Sequence, residues 1–96
     1  MIMIIGSLTI ELGIPESFSL KDKRHVIKGM QARLRREFNI SIAEVAHQDS
    51  RQHATLGVVC VSNKKDYAYG LLNRVVNWIE ETRLDCVLMD YDIELI

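Results

Sequence analysis

Two imidazoles and a carboxylate, His47, Asp49 and His53, fall within the short stretch HQDSRQH. Side chains of these types can hold zinc or trade protons in acid–base chemistry. Their spacing matches no specific motif, however, and the turn QDSRQ gathers polar residues for conformational reasons alone. They therefore assign neither a metal nor a reaction. The third histidine, His25, stands apart on the outer side of a predicted helix. Cys60 and Cys86 sit far apart in strand-like apolar runs, and the chain has no Cys-x-x-Cys. They read as buried free thiols of a reducing, cytoplasmic setting. Asp90, Asp92 and Glu94 alternate along a predicted strand, which spaces their carboxylates roughly 6.6 Å apart. That is too far to converge on one ion, so they read as a solvated edge that discourages strand-to-strand aggregation.

The strongest chemical signal is cationic. Residues 19–38, SLKDKRHVIKGMQARLRREF, hold seven of the twelve Lys and Arg against two acids, a local charge of +5 in a chain of net charge −1. At about 100° per residue, Lys21, Arg24, Lys28 and Arg35 fall within about 60° of arc along one flank of a helix. No carboxylate of the helix shares that flank, since Asp22 and Glu37 lie on the other side. Like charges four residues apart, as in Arg24 and Lys28, cost a few tenths of a kcal/mol. A row of this kind can follow phosphates and release counterions. The bland alternative is a solvated helix face whose charges are neutralised by acids from other elements. Lys23 differs from the row: it points toward the apolar stripe and is expected to carry its amine past the end of the sheet to water. Arg33 and Arg36 point elsewhere and extend the positive field.

These residues need a scaffold, and the hydrophobic pattern supplies one. Residues 2–12 alternate as a strand that is apolar on both faces in its first half, as a central strand would be. GIPES is a loop, and Ser19 caps a helix to about Phe38, with Asp22 in the capping-box position. Leu20, Ile27, Met30, Leu34 and Phe38 form its core stripe. NISIAEVAH is a more polar strand, and HATLGVVCVS is an apolar one. Asn63, with Asp66 three residues on, is expected to start a second helix through about Thr82 with a stripe of Ala68, Leu71, Leu72, Val75 and Ile79. The last strand is expected to put Val87, Met89, Tyr91, Ile93 and Leu95 on one face, against Asp90, Asp92 and Glu94 on the other.

The order β-α-β-β-α-β makes residues 1–96 a single ferredoxin-like α+β domain. Two interleaved right-handed crossovers give a four-stranded antiparallel sheet with both helices on one face. That topology hosts many chemistries and licenses none. Base stacking on sheet aromatics is excluded, because MIMIIGSLTI and ATLGVVCV contain no aromatic residue. The loop LGIPES lacks the Arg-bearing, Gly-rich form that acylphosphatases use. The apolar start is too short and too polar to span a membrane, and no cation precedes it as in a secretory leader. Met3 and Ile5, near Val59 and Val61, form an apolar patch on the uncovered sheet face of a kind that often marks self-association. Gly29 and Gly70 fall on outward halves of their helices, and Trp78 and Tyr67 flank the second stripe as packing residues.

SLKDKRHVIK, ISIAEV followed by HQD, and LGVVCVSN together resemble the YlxP-like family, a bacterial domain of unknown function, over Met1 to about Met89. By this match Ser19, Leu20, Lys21, Asp22, Lys23 and Arg24 carry a first motif, and Glu44, Asp49 and Ala54 fall in a second. Family sequences often have Trp shortly after that Asp, where this chain has Arg51. The resemblance implies a ferredoxin-like domain. It also implies an association with RNA or the ribosome, since members are commonly encoded beside genes for transcription elongation, translation initiation and ribosome maturation. No catalytic residue carries over. The expectation is a non-catalytic, cytoplasmic RNA- or ribosome-associated module without cofactor or metal. Lys21, Arg24, Lys28 and Arg35 would contact phosphates, with Arg51 as an addition. The alternative is a homo-oligomeric regulatory module pairing through the open sheet face or an edge strand, with the acidic last strand receiving a neighbour's basic helix. An enzyme built around His47, Asp49 and His53 is a third reading.

Overall fold

Period-two alternation buries every second side chain of the first strand, and the sheet grows around it. In the computed structural model, which describes residues 1–82 and 85–96, the elements are β1 (Ile4–Gly13), α1 (Leu20–Glu37), β2 (Ser41–Ala46), β3 (His53–Ser62), α2 (Lys65–Glu81) and β4 (Val87–Leu95). The antiparallel sheet runs β2-β3-β1-β4, so the two most apolar strands are central and the two most charged are edges, as the pattern required. β1 and β3 pair along their whole length, from Ile4↔Ser62 to Gly13↔His53. One core joins Leu8, Ile10 and Leu12 of β1, Leu56 and Val58 of β3, and the helix stripes Ile27, Met30, Leu34 and Leu71, Leu72, Val75, Ile79. The chain thus has the expected ferredoxin-like α+β fold, with one sheet face under the helices and the other open.

Local chemistry fixes the helix starts. The Ser19 hydroxyl accepts the Asp22 N–H at 3.0 Å, capping α1. The Asp22 carboxylate accepts the N–H of Phe18 at 3.4 Å, one residue before the cap, so the box is offset from its usual reciprocal form. α2 begins later than Asn63 suggested. Its cap is Lys64, whose side chain makes no capping hydrogen bond among the described residues, and the Ser62 hydroxyl accepts the Lys64 N–H instead. Val76 is buried beside the expected stripe.

β4 departs from simple alternation. Opposite β1 the register runs Ile10↔Tyr91 and Glu11↔Asp90, then jumps to Leu12↔Leu88. Met89 is the extra residue of this bulge. Tyr91, Ile93 and Leu95 stay on the helix side, but Leu88 takes the inward place, and exposed Val87 and Met89 leave the face they were expected to share. The Met89 sulfur lies over Gly13, 3.2 Å from where a Cβ would stand. A bulge changes the face of every residue beyond it, and nothing in DCVLMDYDIELI marks the position.

At the other end of the sheet, Ile5 and Ile96 exchange both backbone hydrogen bonds, at 2.9 and 2.8 Å. α2 packs tightly against β1 at Gly6, where a Cβ would meet Leu72 Cδ1 at 2.9 Å and Cys60 Sγ at 3.0 Å. Cys60 is buried there, and desolvation raises its thiol pKa against a smaller opposing effect of the Gly6 backbone. Burial also raises the Cys86 thiol, helped by the nearby Asp85 charge. Both cysteines are free thiols, as expected, but only Cys60 is fully buried and Cys86 is half-buried.

A Cβ at Gly29, on the outward side of α1, would meet no atom within 4 Å among the described residues beyond its chain neighbours and its own helix backbone. With only helix propensity at stake, Gly29→Ala should stabilise the fold by about 1 kcal/mol. The melting temperature should rise by roughly 4–8 °C in a thermal unfolding experiment. A neutral or negative shift would show that the bare backbone at Gly29 serves a contact.

Candidate functional site

The wheel position of Lys23 is inward, and the structure shows where its amine goes. Lys23 is wholly buried, and it does not reach water past the sheet. Its Nζ donates to Glu44 Oε2 at 2.9 Å, His47 O at 2.8 Å, His53 O at 3.2 Å and Gln48 O at 3.4 Å. Glu44 is available because Ile42 and Glu44 face the helices, opposite Val58 and Leu56. Burying an unpaired ammonium is prohibitive, whereas one given a carboxylate and several carbonyls is tolerable. The amine therefore ties α1 to β2, to the β2–β3 turn and to the first residue of β3.

The same end is pinned from a second direction. Gln52 Nε2 donates to Pro15 O at 3.2 Å and Ser17 O at 3.0 Å, and the Ile14 N–H donates to Gln52 O. These bonds lock the β1–α1 loop to the turn. A shallow groove of about 350 Å³ lined by Ser17, Phe18, Ser50, Arg51 and Gln52 lies between them. Arg51 is thereby placed beside the residues that lead into α1.

On the open side of the sheet the turn gathers a different set. β2 bulges at Val45, since Glu44 pairs with Leu56 and Ala46 with Thr55. His47 follows in the left-handed region at φ 63°, a conformation that histidine adopts more readily than most side chains. Its ring stacks on His53, with centroids 4.2 Å apart and planes 10° from parallel. The third member is Glu11 of β1, whose Oε1 stands 3.7 Å from His53 Nε2 and accepts the Thr55 hydroxyl. Glu11, His47 and His53 each offer one ligand atom, all within 4.8 Å of one another. Asp49, grouped with these histidines by its place in the sequence, is exposed and outside this set. Glu11 was missed because cross-strand register, not proximity along the chain, brings it there.

The cationic flank forms as the wheel required. Lys21, Arg24 and Lys28 are exposed and make no ion pair among the described residues. Arg35 donates to the carbonyl of Ile42 at 3.0 Å, which shows that this flank overlooks the outer edge of β2. Arg33 projects the other way, its guanidinium 5.2 Å from the Trp78 ring of α2. Arg74 covers Tyr67 similarly at 5.9 Å. No helix among the described residues is long and apolar enough to cross a membrane.

Comparison with known proteins agrees with this architecture. The family described as "Protein of unknown function (DUF503)" matches residues 5–93. The uncharacterized protein YlxP of Bacillus subtilis (strain 168) is 35% identical over 77 residues, covering 80% of this chain and 84% of that protein. Among solved structures, the de novo designed protein Foldit4 superposes with a TM-score of 0.55 at 12% identity, covering 98% of this chain and 96% of its own, a likeness of fold alone.

Removing the buried amine should strand the Glu44 carboxylate and three carbonyls. Lys23→Met is expected to cost about 3–5 kcal/mol in urea denaturation, and Lys23→Met/Glu44→Leu to recover part of that loss. A single variant as stable as the parent would refute the tie.

Proposed function

The chain belongs to the DUF503 family of proteins of unknown function, and from that premise we propose that it is a non-catalytic, RNA- or ribosome-associated module. Its contact surface is the flank of Lys21, Arg24, Lys28 and Arg35, with Arg51 beyond its upper end. One observation carries this reading: the exposed cations Lys21, Arg24 and Lys28 stand in a row with no ion-pair partner among the described residues. A helix selected for stability alone gains from interspersed acids, so an uncompensated row favours a polyanion as its counter-charge.

The geometry suits a phosphate backbone. From Lys21 to Arg35 the helix rises roughly 21 Å, enough for several consecutive phosphates. Arg35 spends one donor on Ile42 O, and a guanidinium has others to offer. Contacts of this sort position a nucleic acid without reading its bases. β1 and β3 carry no Phe, Tyr or Trp on which bases could stack. The reading is therefore of backbone recognition on structured RNA, not of sequence-specific single-strand binding.

A second reading rests on the open sheet face, where Met3 (58% exposed), Val59 (40%) and Val61 (64%) form an apolar cluster with Ile5. A second copy seated there would make a homodimer. Pairing through the β2 edge is disfavoured, because two copies would bring their cationic flanks side by side.

In filter binding against structured RNA, affinity should fall as salt rises, with a log–log slope between about −2 and −4 for three or four phosphate contacts. Lys21→Glu/Lys28→Glu should abolish binding while leaving the fold intact, since neither side chain makes a described hydrogen bond. Binding that ignores salt or survives the double variant would sink the proposal. By sedimentation velocity, Val61→Glu should convert any dimer to monomer without altering RNA affinity. A protein that is monomeric at all concentrations eliminates the second reading.

A further inference from the structure

We propose that Glu11, His47 and His53 form a binding site for a divalent transition-metal ion such as zinc, on the open face of the sheet at the β2–β3 turn. The donor set is two imidazole nitrogens and a carboxylate oxygen, a combination that suits borderline metals and leaves coordination positions for water. Three donors on one zinc ion stand about 3.4 Å apart, and here the three potential ligand atoms already lie within 4.8 Å of one another.

Four independent features converge on these residues. His53 Nε2 is shut off from solvent and has no hydrogen-bond partner among the described residues. Buried polar atoms are seldom left so, and a metal bond would satisfy this one. Glu11 is oriented by the Thr55 hydroxyl, which leaves carboxylate lone pairs free toward His53. Such a support beneath a ligating carboxylate is a recurrent part of metal sites. The backbones of both histidines are anchored from behind, because Lys23 takes the carbonyls of His47 and His53. His47 also holds a positive φ that turns its ring back over His53.

Electrostatics favour a cation there. Glu11 stands directly across from Asp90 on the open face, and Asp92 and Glu94 continue the same row. Like charges directly opposite on neighbouring strands are destabilising, and a bound cation relieves them. One adjustment is needed. Stacked rings have parallel planes, whereas two imidazoles sharing an ion must diverge. His47 is exposed and free to turn, while His53 and Glu11 keep their places.

The test is calorimetric titration of the untagged protein with zinc chloride, followed by cobalt(II) absorption. One equivalent of zinc should bind and raise the melting temperature, since a ligand of the folded state stabilises it. Cobalt should give visible bands without thiolate charge transfer, because Cys60 and Cys86 lie elsewhere in the fold. Circular dichroism should show that His53→Ala and Glu11→Gln are folded, and each should lose the one-to-one binding. Thr55→Val should weaken it by about tenfold or more. His25→Ala and Asp49→Ala should bind as the parent does. Failure to bind zinc overturns the site, as do unchanged stoichiometry in folded His53→Ala or equal losses in the His25 and Asp49 variants.

Discussion

An ammonium group without water dictates the arrangement of one whole end of this molecule. Lys23 has no exposed surface, so its charge must be matched inside the fold by Glu44 and the carbonyls of His47, Gln48 and His53. That requirement fixes several things together. β2 must turn Glu44 toward the helices, the turn must aim three carbonyls inward, and α1 must enter with its first turn over the hairpin. Slipping β2 by one residue would send Glu44 to the open face and leave the amine stranded. The contact is thus better understood as a selector of register and orientation than as a net source of stability.

The fold also sorts charge onto separate surfaces. The cations of α1 crowd the flank above the β2 edge, while Glu11, Asp90, Asp92 and Glu94 line the open face toward β4. A net charge near zero conceals two opposed fields. A polyanion and a metal cation would therefore be drawn to different sides of the protein, and neither site obstructs the other. The turn lies between them, its backbone held by Lys23 on one side and its imidazoles displayed on the other.

Much of the architecture was legible from the chain, because hydrophobic periodicity is a local property. The element order, the central and edge strands, the Ser19 cap and the Lys21–Arg35 row all follow from residues a turn or a pleat apart. What escaped depends on distant residues meeting. The wheel put Lys23 inward, but its acceptors are set by the pairing of β2 with β3. Asp49 lies next to the histidines in the sequence and yet stays exposed outside the cluster, while Glu11 arrives through the β1–β3 register, opposite Thr55. The bulge at Met89 has no compositional marker, so simple alternation put Val87 and Met89 on the wrong face. Asn63 has the chemistry of a cap, but Ser62 supplies the bond at that turn.

The mutual hydrogen bonds of Ile5 and Ile96 have a mechanical consequence. The first and last strands are antiparallel neighbours whose outer ends meet, so tension applied to the two ends opens β1 from β4 in a peeling geometry. Bonds then break one after another and do not share the load. An unfolding motor or a tether gripping these ends would meet low resistance at first, and the hairpin clasped around the buried amine would be the last part of the sheet to feel the force.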